Sequence, residues 1–106
     1  MNGTAYAPDF FFVPPSPEQE REDFRAALKH ANTRRIFRRL LNVGNAMGPS
    51  KALGEGNTEY NEGIRALALW LAGKIENAAP GEFAALMRES GEERIAWNAA
   101  QKSKEN

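Results

Sequence analysis

NTEYNEGIRALALWLAGKIEN, residues 57–77, is the stretch whose reading decides the fold. Tyr60, Ile64, Leu67, Leu71 and Ile75 recur at steps of three and four, the spacing that lays side chains along one stripe of an α-helix. Asn57 or Thr58 can cap its start, and Glu59 and Glu62 lie near the positive end of the helix dipole. The stripe predicts the core side of a long helix. Leu69 falls roughly opposite it, among Glu62, Arg65 and Gly73, and Trp70 lies on its flank. The second half of the helix is therefore apolar nearly all round, and Leu69 with Trp70 marks a second surface that needs a cover.

Upstream, Ser16-Pro17-Glu18-Gln19 is a helix start, with a capping serine, proline at the first helical position and glutamine where a capping box places it. This helix is expected to reach about Ala31, with a thin apolar face of Phe24, Ala27, Leu28 and Ala31. Asn32-Thr33 then ends it and caps the next. That next helix, 33–43, carries Ile36, Phe37, Leu40, Leu41 and Val43 against Arg34, Arg35, Arg38 and Arg39, and Gly44 is its stop signal. Four like charges so close together repel one another and require acids, phosphate or solvent opposite. Residues 44–56, with four glycines and a proline, read as a long loop that Met47 and Leu53 can pin to the core. Downstream, Asn77-Ala78-Ala79-Pro80 breaks the long helix. Pro80 with Glu82 starts another, whose Phe83, Leu86 and Met87 face inward before Gly91.

The two ends differ from this body. Residues 1–15 hold Tyr6, Phe10, Phe11 and Phe12 between prolines that favour extended backbone, so this arm reads as an aromatic strap. It either folds back over its own helices or anchors in a groove on another subunit. Residues 92–106 read as a polar tail that could form a final helix, with Ile95 and Trp97 its only large apolar residues. The expectation is an all-α fold: a small bundle of three to five helices at 16–91, an extended aromatic-rich arm at 1–15 and a polar tail at 92–106.

Composition narrows function by exclusion. The chain has 106 residues, 14 basic and 14 acidic side chains and no cysteine. The charge balance gives no long-range attraction to nucleic acid or anionic membrane, and thiolate or disulfide chemistry is ruled out. The longest strongly apolar run, 66–72, is far short of a membrane span. No membrane anchor, metal or other cofactor is expected. His30 is the sole histidine, too little for a metal site. Glu55, Glu59 and Glu62 cluster where a helix dipole accounts for them without catalysis, and Gly54-Glu55-Gly56 lacks the rest of a phosphate-loop pattern. No enzyme is read here. The arginine face could contact successive phosphates, so DNA contact through Arg34, Arg35, Arg38 and Arg39 is possible but not favoured. An acid–base interface within the chain or between subunits suits the residues better.

Taken together, RRIFRRLLNVGNAMGPS (34–50), TEYNEGIRALALWLAGKI (58–75) and PGEFAALMRES (80–90) resemble a family of small structural proteins of tailed bacteriophages, first named from a virion protein of a Bordetella podovirus-like phage. Its pattern is matched by Arg34, Arg35, Phe37, Leu40, Leu41 and Gly44. The match continues through Thr58, Tyr60, Asn61, Glu62, Gly63 and Arg65, then Pro80, Phe83, Met87 and Glu89. Arg38 and Arg39 stand where aromatics are common in the family, and the loop lacks its usual phenylalanine. The resemblance implies a non-enzymatic virion component made in the host cytoplasm. It would assemble in several copies with portal, adaptor or tail proteins, or travel inside the particle and be ejected. It also marks Gly63 as a helix crossing, because glycine inside a helix costs up to ~1 kcal/mol against alanine and suits close backbone approach. Glu62 and Arg65 would make polar contacts there, Glu62 with an arginine of the preceding helix. The alternative is a small nucleic-acid-associated or regulatory module using the arginine face.

Overall fold

The computed structural model describes residues 13–44 and 58–105, and over these it is all-helical, with four helices and no strand. They are α1 (Pro17–Ala27), α2 (Ala31–Val43), α3 (Thr58–Ala78) and α4 (Glu82–Glu105). Helix α1 starts as its sequence dictates: the Ser16 hydroxyl accepts a hydrogen bond from the Gln19 amide at 3.1 Å, and Pro17 occupies the first turn. It ends earlier than expected. Leu28–His30 form a turn, His30 precedes α2 without a side-chain cap, and Asn32 and Thr33 lie inside α2. Leu28 is buried in the core, and turning the chain there brings Arg34 back to its carbonyl at 3.1 Å.

The core is small. Leu28, Leu41, Ala68, Leu71, Ile75 and Leu86 form it, with Phe24, Phe37, Phe83 and Met87 packed around them. Helix α3 runs through the middle, in contact with each of the other three. Leu71 and Ile75 are buried as the stripe requires, but Tyr60 and Leu67 are not: 63% and 67% of their surfaces remain exposed. The buried side of α3 is rotated toward Asn61 and Ala68. Close packing explains the rotation, because α2 meets α3 at Gly44, and only small residues fit at that crossing. A Cβ on Gly44 would collide with the Ala68 methyl and lie 3.1 Å from the Ile64 carbonyl oxygen.

The α3–α4 turn has its own device. Gly81 adopts a φ of +92°, which glycine takes without strain, so Pro80 stays outside and Glu82 opens α4. The Glu76 carboxylate, at the end of α3, accepts hydrogen bonds from the Gly81 amide at 2.7 Å and the Phe83 amide at 3.3 Å. It thereby caps the next helix from the previous one. Gly91 does not stop α4, which runs on to Glu105 as one 24-residue helix. The residue is exposed, a methyl group added to it would meet no described neighbour within 4 Å, and it sits among good helix formers, so only the ordinary glycine penalty opposes continuation. Residues 91–105 are solvent-exposed save for a half-buried Gln101.

Candidate interaction surface

Two features of α2 dominate the surface, one on each side of its buried edge. On the first side, Arg34 and Arg38, one turn apart, face Glu82, Glu89 and Glu93 on α4. Arg34 bonds Glu82 and reaches Glu89 at 2.5 Å, and Arg38 reaches Glu89 at 2.8 Å and Glu93 at 2.6 Å. Glu89 bridges the two guanidinium groups. Charge-assisted, near-bidentate bonds of this kind hold helix register as well as contributing energy. The bond from Arg34 holds the Glu89 carboxyl below its ordinary range, and the bond from Arg38 does the same to Glu93; both arginines are pushed further toward the charged form. Beside the ladder, Asn42 donates to the Ser90 hydroxyl at 2.9 Å.

Arg35 and Arg39 take no part in the ladder and are exposed. The arginine face is thus two pairs with different surroundings. The acid–base interface expected of this helix is present within the chain for Arg34 and Arg38, with partners on α4. Glu62, the partner suggested for them, is instead an exposed residue of α3. Arg65 is half-buried beside the buried Asn61. Gly63 is exposed, and among the described residues nothing lies within 4 Å of where its Cβ would be. The close crossing assigned to Gly63 falls at Gly44 in the described structure, because it is Ala68, not Gly63, that faces α2.

On the other side of α2 an apolar cleft of about 220 Å³ opens between α2 and α3. Its walls are Leu40, Val43, Ile64, Leu67, Trp70 and Leu71, and its floor is the Gly44–Ala68 crossing. Leu40 and Val43 are 50% and 59% exposed, and Ile36 extends the same stripe of α2 at 57%. Part of the missing burial of the long-helix stripe is therefore localised here: Leu67 and Ile64 line this cleft, whereas exposed Tyr60 is not among its walls. Trp70 stands at its end, edge-on to Phe24 of α1 with ring centroids 6.5 Å apart and with the Lys74 ammonium 5.7 Å from its ring centre. Lys74 in turn bonds Glu20 of α1 at 2.6 Å. Helix α1 accordingly supplies part of the cover that Trp70 needs, while Leu69 remains 41% and Trp70 52% exposed.

Past Trp70 lies a second, more polar cleft bordered by Pro14, Pro15, Glu20, Lys74 and Asn77. Tyr6, Phe10, Phe11 and Phe12 lie outside the described residues, as does the loop carrying Met47 and Leu53. Sequence reading missed the cleft and the three α4 carboxylates. The carboxylates had a signal, since Glu82, Glu89 and Glu93 repeat at steps of seven and four, the spacing of one helix face. Among the described residues no cluster of His, Cys, Asp or Glu is placed to hold a metal, no buried side-chain polar atom lacks a partner, and no helix is long and apolar enough to cross a membrane. Compared with protein-family models, curated proteins and solved structures, the chain matches none.

Proposed function

We propose that this chain is a non-enzymatic structural component of a tailed bacteriophage particle, a small helical body that works by packing against copies of itself and against portal, adaptor or tail proteins. The placement in a virion rests on the sequence resemblance of residues 34–90. The assembly role is supported chiefly by the apolar surfaces that α4 leaves exposed beyond Gly91, Ile95 at 71% and Trp97 at 63%, on a body with a small core. Ordering or covering these surfaces on assembly adds interface without a larger domain.

The alternative of a nucleic-acid-associated module is weakened by the carboxylate ladder. With Arg34 and Arg38 held by Glu82, Glu89 and Glu93, two of four guanidinium groups have their charge matched already, and phosphate contact would rest on Arg35 and Arg39. Mass spectrometry of purified virions tests the leading reading. Presence in the particle at a fixed ratio to the portal protein is the expected result; detection only in infected-cell lysate would overturn it.

A further inference from the structure

We propose that the α2/α3 cleft is the docking seat of the chain's own aromatic arm, with Phe10 and Phe12 seated between the α2 wall of Leu40 and Val43 and the α3 wall of Ile64 and Leu67. The inference does not depend on the virion reading. The cleft's chemistry excludes most other occupants: small-molecule sites carry a few placed polar groups, whereas every wall side chain here is apolar and the volume is about 220 Å³. Such a space suits hydrophobic rings. Of the residues outside the described structure, 1–12 carry Tyr6, Phe10, Phe11 and Phe12, so this segment brings the aromatic surface that the cleft lacks.

The position of the arm's root then sets the register. Pro14 and Pro15 border the same cleft as Trp70, Lys74 and Asn77, and Trp70 also closes the apolar cleft, so the arm leaves the described structure one side chain from the proposed seat. From Lys74 back to Leu67 along α3 is about 10 Å at 1.5 Å per residue. Three residues of extended chain, from Pro14 to Phe11, span about the same distance. With Pro14 level with Lys74 across the cleft they share, the arm laid along α3 brings Phe12 beside Trp70 and Leu71 and Phe10 beside Ile64. In extended backbone alternate side chains share a side, so Phe10 and Phe12 enter together while Phe11 faces away. Pro8 and the Pro14-Pro15 pair favour such backbone at both ends of the segment.

Trp70 is a built-in reporter of this contact. In a full-length Trp97→Phe background, which leaves Trp70 as the sole tryptophan, the Phe10→Ser/Phe12→Ser pair should shift Trp70 emission to the red and raise its quenching by acrylamide. Far-UV circular dichroism should stay unchanged. Leu67→Asp, at a position already two-thirds exposed, should produce the same shift, and adding it to the phenylalanine pair should produce no more. Phe11→Ser should leave the emission in place. Unaltered Trp70 emission in the phenylalanine pair would overturn the proposal. So would a Leu67→Asp effect that adds in full to that of the pair, which would give the seat to residues 45–57 or another occupant. A shift that disappears on dilution would assign the seat to the arm of a second copy and refute docking within the chain.

Discussion

Gly44→Ala is the substitution most sensitive to how α2 crosses α3, because two effects of opposite sign meet there. Gly44 caps α2 with φ −84° and ψ −1°, an ordinary right-handed conformation. At a neutral site alanine would stabilise the chain by about 0.4–1 kcal/mol, by restricting the unfolded state. Here the added methyl would overlap the Ala68 Cβ and press on the Ile64 carbonyl at 3.1 Å. Neither neighbour is the end of a flexible side chain, so the helices must move apart, and overpacking of this kind costs about 1–3 kcal/mol. The steric term wins. A net loss of about 1–2 kcal/mol is expected, read as a fall in melting temperature of roughly 4–10 °C for a domain of this size. Urea denaturation followed by circular dichroism should show a lower midpoint at unchanged slope.

The companion variant turns this into a test of geometry. Ala68→Gly alone places glycine inside α3 and should cost about 1 kcal/mol. Combined with Gly44→Ala it moves the single methyl from one helix to the other and removes the collision. The double variant should therefore be more stable than the sum of the two losses implies, by about 1 kcal/mol or more. Full recovery is not expected, since the Ile64 carbonyl stays close. Stability of Gly44→Ala at or above that of the parent, or additivity of the pair, would refute a close crossing at this point.

The ladder and the inter-helix cap give two further predictions. Glu89 and Glu93 have folded-state carboxyls held below the ordinary value of 4.5, so the stability they contribute is complete above that pH and is lost as pH falls through the lower folded values. Glu89→Gln should cost about 1–2 kcal/mol at pH 7, moderated because Arg34 keeps Glu82 and Arg38 keeps Glu93, and the gap from the parent should narrow as pH falls below 4.5. A gap in urea midpoint that stays the same from pH 7 to well below 4.5 would contradict the ion-pair account. Glu76→Ala removes the acceptor for the Gly81 and Phe83 amides and should cost about 1 kcal/mol. Hydrogen exchange at the Phe83 amide should quicken with it, and unchanged exchange would dismiss the cap.

What could be read from the sequence depended on whether a residue's role is local. The Ser16 cap, the helix that follows it and the inward set Phe83, Leu86 and Met87 obey short-range rules, and the structure follows them. Periodicity also found α3, yet it selected the largest apolar side chains as the buried ones. Burial goes to the helix crossing, which requires Gly44 against Ala68, and no hydropathy pattern marks a small residue as the point of closest approach. Gly63 drew attention because it is a helical glycine, but its partner among helices is a tertiary fact that one sequence does not carry. The same holds for Arg34 and Arg38. Their need for acids was legible from charge repulsion, whereas the choice of α4 over Glu62 follows from which helix lies alongside.

The ladder and the cleft are two consequences of one rotation. Successive residues of α2 turn by about 100°, so its apolar residues form an arc running from Val43 and Ile36 through Leu40 to Phe37 and Leu41, and Arg34 and Arg38 continue beyond Leu41. That arc is wider than one helix interface can bury. Had the helix rolled to place Leu40 and Ile36 in the core, Arg34 and Arg38 would have swung away from Glu82, Glu89 and Glu93, and Gly44 would have left Ala68. The guanidinium bonds on one edge and the glycine crossing in the middle fix the roll, and the far edge of the arc is left facing the cleft. Breaking the ladder should therefore loosen the cleft wall as well as the α2–α4 contact. In a Trp97→Phe background, the Arg34→Ala/Arg38→Ala pair should change Trp70 emission although neither arginine touches Trp70. An unchanged spectrum, with stability lowered, would mean that the Gly44 crossing alone sets the roll of α2.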